Sequence, residues 1–289
     1  MKQENSEVGI GLLTWNGENY LEITLRSLFK QSFKNFKIFV HHNCSKDNTI
    51  KIFNKFKKKY PKKIYILKET KYREIPTVLN ILCKKKLKNY KYLMIVNDDD
   101  IYEKNFISKN LENIKKKKLD LSYSLYKTTL NNETKNSPLY SYNKKNVNLY
   151  NFLLKRNPVP ICFGVYRTKK FMKNLKNYMY FDKSKTNYDN VFTFSCLLNM
   201  KVDFINEKLF TYRIKKRQDP ILKFKNKSFI EKLIHRIRIF KFQYSFSKKI
   251  MSLIYKSNNI KFINKFLLVI FLIILYPMKV LSYLIKNIF

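Results

Sequence analysis

VGIGLLTWNGENYLEITLRSLFKQSFKNFKIFVHHNCSKDNT, Val8 to Thr49, decides the reading of this chain. Val8 to Thr14 is an apolar run of the kind needed by a strand buried on both faces of a parallel sheet. Asn16 stands where a helix N-cap would, ahead of Leu21, Leu25 and Leu28, which share one face of a helix. Phe36 to Val40 follows as a second short strand. Ser45, Asp47 and Asn48 are helix-starting residues, and Phe53, Phe56 and Tyr60 beyond them line one side of a second helix. The order is β-α-β-α, which builds a layered α/β domain around a parallel sheet.

Working outward, Ile64 to Leu67 and Tyr92 to Val96 supply two more buried strands, with a helix from Pro76 to Lys86 between them. The first hundred residues thus have the layout of a nucleotide-binding domain. Leu121 to Leu125 and Ile161 to Tyr166 read as strands, and the polar stretch Asn131 to Lys145 as a loop or lid. Asn190 to Leu198 reads as a helix and Phe204 to Tyr212 as an edge strand. The composition then changes. From Arg213 to Lys265 there are 16 basic and 2 acidic residues, laid over an apolar stripe of Phe229, Leu233, Ile237, Phe240 and Tyr244, the pattern of a basic amphipathic helix. Phe266 to Met278 is 13 residues without a charge, about 20 Å of helix against a hydrocarbon core of roughly 30 Å. Extension to Ile285 gives the length but takes in Lys279 and Pro277. An interfacial or re-entrant helix is the leading reading, with a true span or a buried core or dimer helix as alternatives. The expected organisation is an α/β domain over 1–217 and a helical, membrane-associating segment over 218–289.

The bulk numbers set bounds. With 289 residues and 45% hydrophobic content, the chain can bury one core of roughly 200 residues plus an appendage. Its 60 Lys and Arg against 20 Asp and Glu give a net charge of +40, which favours phosphate-rich partners or an anionic membrane surface. A genome rich in A and T would enrich Lys, Asn, Ile, Phe and Tyr in the same way without selection for binding. Four dispersed cysteines, Cys44, Cys83, Cys162 and Cys196, include no CxxC pair and suggest neither a zinc cage nor a disulfide framework. The start, MKQENSEVGIG, lacks the apolar stretch of a secretory signal, so the expected location is the cytoplasmic face of the cell membrane. No recognised nucleic-acid motif is present, and nucleic acid is not an expected partner.

Ligands of open α/β sheets sit at the carboxyl ends of strands. Three such ends are polar here: Thr14-Trp15-Asn16, His41-His42-Asn43-Cys44-Ser45 and Asn97-Asp98-Asp99-Asp100. Three consecutive carboxylates repel one another, and at a buried strand end they call for a cation. Magnesium or manganese bound to a diphosphate would supply it, and would neutralise charge on a departing nucleotide diphosphate. The alternative is a solvated acidic turn.

The segment LLTWNGENYLEITLRSLFKQSFKNFKIFV is similar to the opening strand and helix of the family-2 glycosyltransferases of GT-A fold. HNCSKDNT resembles the end of that family's second strand, and NDDDIY its metal motif. With a later acidic residue before a helix and the tail FINEKLFTYRI, the resemblance covers about residues 6 to 215. It implies that Thr14 and Trp15 line a base pocket, with Asn16 and Asn43 at the same strand ends. His42 falls where the family usually has a base-binding Asp, and Asn80 matches a helix asparagine. In the metal motif Asn97 takes the first Asp position and Asp99 the second, so Asp99 is the first-choice ligand, with Asp98 or Asp100 compensating for Asn97 and Asp98 also near the donor. Asp189 in NYDNVFTF stands at the acidic motif that holds the acceptor hydroxyl, as catalytic base; a plain helix N-cap is the other reading of that position. Lys215 replaces the histidine that often ends the YRxH-like segment.

Taken together, the resemblance implies inverting transfer of a sugar from a nucleotide-diphosphate sugar, with manganese or magnesium, to a glycan or lipid-linked acceptor in cell-surface polysaccharide synthesis. The departures at His42, Asn97 and Lys215 keep a non-catalytic GT-A-like binding protein at the membrane as the alternative.

Overall fold

The computed structural model describes residues 7–130, 133–136, 145–155, 158–178, 188–214 and 229–285. Its first half is β1 (Val8–Thr14), α1 (Leu21–Phe29), β2 (Phe36–His42), α2 (Thr49–Lys59), β3 (Ile64–Lys68), α3 (Ile75–Lys85), β4 (Tyr92–Asn97), β5 (Ile101–Tyr102) and α4 (Phe106–Lys117). Then come β6 (Leu121–Leu130), β7 (Glu133–Asn136), α5 (Lys145–Lys155), α6 (Val159–Cys162), β8 (Val165–Arg167), α7 (Thr168–Tyr178), α8 (Tyr188–Asn199), β9 (Val202–Arg213), α9 (Phe229–Lys256) and α10 (Phe262–Ile285). The sheet runs β3-β2-β1-β4-β8-β6-β9-β5, with β7 paired to β6. β3, β2, β1 and β4 are mutually parallel, as are β6 and β9, whereas β8 runs antiparallel between β4 and β6. It is an α/β fold with a mixed, mostly parallel sheet.

Period-2 alternation divides the strands between two apolar layers. Val8, Ile10 and Leu12 of β1, Ile38 and Val40 of β2, and Met94 and Val96 of β4 pack on one side against α1, α2 and α4. Leu13, Phe39, Leu93 and Ile95 pack on the other against α3, α5, α7 and α8. Because both faces are covered, these strands read as continuous apolar runs. α3 begins with Pro76 in its first turn, where a missing N–H costs nothing, and α4 ends on Lys118 in the left-handed region.

Three local expectations change. Asn16 does not cap α1, whose N-cap is Tyr20; it adopts a φ of 50° and ties two loops together. The expected strand from Ile161 is instead the short helix α6, with Pro160 in its first turn, and only Val165–Arg167 is extended. β9 is not the sheet edge, because the two-residue β5 pairs along its outer side. Of the expected lid at Asn131 to Lys145, residues 133–136 form β7 and 145 opens α5, and the others lie outside the described residues.

The C-terminal helices pack onto the α/β layers. Phe246, Ile250 and Ile254 of α9 and Leu268 and Leu272 of α10 are buried in the apolar layer that contains α8, and Phe271 meets the Tyr150 ring edge-on at 4.9 Å. Of the sequence stripe on α9, Ile237 and Tyr244 are exposed, so the packed face is a different one. The opposite side of α10 is also apolar and exposed, through Ile263, Phe266, Leu267, Ile270, Ile273 and Ile274. Among the described residues no helix is long and apolar enough to cross a membrane.

Candidate active site

A cavity of about 410 Å³ opens at the carboxyl ends of β1 and β4. Its wall brings together Thr14, Trp15, Asn43, Asp98, Asp99 and Asp189 of the residues singled out in the sequence. β1 and β4 are hydrogen-bonded neighbours, which is why positions more than 80 residues apart meet. Thr14 Oγ1 donates to Asp98 Oδ2 at 2.6 Å, and the Trp15 N–H donates to the same oxygen at 3.3 Å. Gly17 is needed beside them. A Cβ at that position would stand 2.4 Å from Asp98 Oδ2 and 2.8 Å from Thr14 Oγ1, closer than side chains tolerate. Gly17→Ala is therefore expected to push Asp98 out of place and to cost about 1–3 kcal/mol of stability, as overpacking does. Thermal melting of the variant checks this.

The loop after β1 is locked to the loop after β2. The Asn16 N–H donates to Ser45 Oγ and the Lys46 N–H to Asn16 Oδ1, both at 3.0 Å. The Gly17 N–H reaches Thr49 Oγ1 at 2.8 Å, and the Glu18 N–H reaches Asp47 Oδ2 at 3.0 Å. Asn16 thus serves as a clamp behind the cavity and lies outside its wall. Asn43 does line it, with its amide fixed in both directions by the backbone of Arg73: Nδ2 donates to the Arg73 carbonyl at 2.7 Å, and the Arg73 N–H donates to Oδ1 at 2.9 Å. This pairing holds the neighbouring Tyr72 at the mouth. Trp15 and Tyr72 meet edge-on with centroids 5.3 Å apart, and they are 54% and 50% exposed. An exposed aromatic pair at a cavity mouth offers faces on which a flat ligand can stack.

Three other candidates fall outside the wall. His42 has the strand parity of Ile38 and Val40, the layer covered by α1 and α2. Its Nε2 is buried without a hydrogen-bond partner among the described residues, and burial followed by the nearby Lys68 holds its pKa below the usual histidine value. Asn80 is two residues, or about 200° of helix, beyond Val78, the α3 residue that with Ile75 touches the cavity. Asp100 is fully buried, and its Oδ1 accepts the N–H of Arg213 at 3.2 Å. The three consecutive carboxylates therefore diverge, two toward the cavity and one toward β9. His41, on the other face of β2, pairs with Glu69 at 3.2 Å.

Asp189 lies in the first turn of α8, one residue after the helix begins at Tyr188, and accepts the Asn190 N–H at 2.8 Å. Burial raises its pKa above the ordinary aspartate value, opposed by that hydrogen bond. The neighbouring Tyr188 hydroxyl and Cys162 thiol are likewise pushed up, chiefly by burial and then by the Asp189 charge. Arg213 was not singled out from the sequence as a site residue. Its backbone holds Asp100, its Nε donates to the Asp99 carbonyl at 3.2 Å, and its guanidinium lies 4.3 Å from the Tyr20 ring centroid. The signal was there in TYRIKK, two residues ahead of Lys215, which lies outside the described residues.

The model of "Glycosyl transferase family 2" matches residues 10–175. The chain belongs to glycosyl transferase family 2. The dTDP-rhamnosyl transferase RfbG from Shigella flexneri is 31% identical over 110 residues, 35% of this chain and 36% of that protein. The match thus spans about a third of the length of that curated relative. Among solved structures, S. aureus TarS 1-349 in complex with UDP superposes with a TM-score of 0.66 at 18% identity, covering 91% of this chain and 69% of that one. The mannosyltransferase PcManGT from Pyrobaculum calidifontis, in complex with GDP-Man and Mn2+, superposes with a TM-score of 0.56 at 10% identity, covering 88% and 66%. At these identities the two structures speak for the fold alone.

Proposed function

We propose that this family-2 protein transfers a sugar from a nucleotide-diphosphate sugar to the hydroxyl of a glycan or lipid-linked acceptor, with inversion at the anomeric carbon. The observation that carries the reading is that Asp98 and Asp99, at the end of β4, share one cavity with Asp189, at the start of α8. One reaction needs both: an acidic anchor for the donor's cation, and a base for the acceptor.

Asp98 and Asp99 fit a magnesium or manganese ion. Among the described residues no three His, Cys, Asp or Glu side chains are placed to hold a metal, but such ions commonly take one or two carboxylates and fill their other positions with water and substrate phosphates. When bound, the ion would supply positive charge to the departing diphosphate. The protein does the rest. Thr14 and the Trp15 amide orient Asp98, and Trp15 and Tyr72 present aromatic surface to the base. Asp189 takes the proton of the acceptor hydroxyl as its oxygen bonds to the anomeric carbon. The bond from that carbon to the diphosphate oxygen breaks in the same step, and its electron pair leaves with the nucleotide diphosphate. RfbG and the TarS and PcManGT complexes name dTDP, UDP and GDP chemistry respectively; all three belong to the donor class proposed here.

The membrane surface is the proposed working location. The exposed apolar face of α10 and the basic composition of residues 213–265 are the two ingredients of an interfacial anchor, on the cytoplasmic face for a protein that uses cytoplasmic nucleotide sugars.

Trp15→Ala is expected to weaken nucleotide binding by about 1–3 kcal/mol, the usual worth of base–aromatic stacking, measured as a dissociation constant. The reading as a whole is tested by thermal shift with UDP, GDP and dTDP in the presence of manganese. A nucleotide at about 100 times its dissociation constant should stabilise the fold by about 2.7 kcal/mol. No stabilisation by any of the three would overturn it.

A further inference from the structure

A second cavity, of about 590 Å³, lies between α7, α9, the end of α8 and the turn after α9. It shares no lining residue with the first. α8 connects the two: Asp189 at its start faces the candidate active site and Asn199 at its end lines the second cavity, about 15 Å away at 1.5 Å per residue. Lys170, Lys173 and Lys176 come from α7 and Lys249 and Lys256 from α9, with no carboxylate among the described lining residues. Lys170 also reaches Asp120 at 3.4 Å. The floor is neutral and polar. Asn177 Nδ2 donates to Ser195 Oγ at 2.7 Å, Ser195 Oγ to Asn174 Oδ1 at 2.6 Å, and Asn259 Nδ2 to Asn199 Oδ1 at 3.1 Å.

Two helices that converge their lysines on one hollow pay in repulsion unless an anion sits there. The pKa of Lys249 is held below the usual lysine value first by burial and then by the nearby Lys256 and Lys176. The flank of the cavity is apolar: Tyr255 and Phe262, on either side of the turn that carries Ser257 and Asn259, are 81% and 84% exposed, followed by Ile263 and Phe266. A basic hollow beside exposed aromatic and aliphatic side chains matches a phosphate group at the boundary between water and acyl chains.

We propose that this cavity binds the phosphate of an anionic phospholipid headgroup and so fixes the orientation of the enzyme on its membrane. The site deepens the membrane-surface reading and is independent of sugar transfer.

The test uses the full chain and vesicles of phosphatidylcholine with and without phosphatidylglycerol. The pocket variant carries Lys173→Gln, Lys176→Gln and Lys256→Gln, all exposed, and a control with the same loss of charge carries Lys57→Gln, Lys58→Gln and Lys59→Gln on α2, on the other face of the sheet. Diffuse attraction falls equally in both. A built site makes the pocket variant lose at least about tenfold more affinity for phosphatidylglycerol vesicles than the control, since it also loses charge-assisted hydrogen bonds. Equal losses overturn the cavity while leaving membrane binding in place. Wild-type binding no stronger to phosphatidylglycerol than to neutral vesicles overturns the membrane-surface reading itself. In a parallel arm, inorganic pyrophosphate is titrated against wild type and pocket variant by thermal shift. Stabilisation lost in the pocket variant, with equal vesicle binding, would contradict the lipid headgroup and assign the cavity to a soluble phosphate compound.

Discussion

Asp189→Asn is expected to lower sugar transfer by about 100- to 10,000-fold, the range typical for a general base, while donor affinity persists and the fold is at least as stable as the wild type at neutral pH. The stability half follows from burial. Asp189 has a folded pKa raised above its ordinary value by desolvation, so the folded state holds its proton more tightly than the unfolded chain does. Its contribution to stability is fully present at pH values below the unfolded aspartate pKa, and is lost as pH rises through the raised folded value. Asparagine carries no charge to desolvate, and its amide oxygen can still accept the Asn190 N–H. The activity half has its own pH signature. The acid limb of kcat/KM should lie above the ordinary aspartate range, because the base must lose its proton first, and residual transfer by the variant should lack that limb. A stable variant with near-normal transfer would make Asp189 a structural acid in the first turn of α8.

Asp99→Asn is expected to abolish the manganese dependence of donor binding. Charge stabilisation by a bound ion is worth several kcal/mol, and at 1.36 kcal/mol per tenfold the loss of transfer is roughly 100- to 1,000-fold. Asp100→Asn provides the contrast. Its carboxylate is buried against the Arg213 backbone and outside the cavity, so the change should act on stability, read by thermal melting, and leave manganese-dependent nucleotide binding within a few fold of wild type. If the two variants exchanged these phenotypes, the assignment of the acidic cluster would be reversed.

The parts of the molecule that were legible in the sequence are those dominated by local pattern. β1, β2 and β4 announce themselves because a strand covered on both faces must be apolar throughout, and α1, α2 and α3 because one face of each packs on the sheet. The sequence reads as strand from Ile161 because Ile161 and Cys162 open an apolar run that continues to Tyr166; Pro158 and Pro160 are the cue to the helix α6, since proline suits a first helical turn. Within the candidate site, strand ends and the resemblance point to Thr14, Trp15, Asn43, Asp98, Asp99 and Asp189, and these six line one cavity. His42 and Asn80 lie outside that lining, and simple periodicity says why: His42 shares the parity of Ile38 and Val40, and Asn80 is about half a turn from Val78. Tyr72, Tyr188 and Arg213 meet the site only through tertiary packing, and spacing alone could not select them from a chain with 21 tyrosines and 60 basic residues.

The C-terminal helices show the same limit. Apolar periodicity identified both, but which face of α9 packs was decided by α8 and α10, and Phe246, Ile250 and Ile254 rather than Ile237 and Tyr244 are the buried ones. Since both helices complete the apolar layer around α8, cutting the chain after Arg217 should uncover Phe194, Leu197 and their neighbours and lower the melting temperature.

In the proposed reaction the carboxylates that follow β4 and the carboxylate of α8 serve one transfer in one cavity. This is tested most directly by following release of nucleotide diphosphate from the sugar conjugate of whichever nucleotide stabilises the protein, with manganese and with a chelator, in wild type, Asp99→Asn and Asp189→Asn. The expected result is manganese-dependent release by wild type and strongly reduced release by both variants, with manganese-dependent donor binding lost only in Asp99→Asn; release that ignores manganese and survives both substitutions would overturn this assignment.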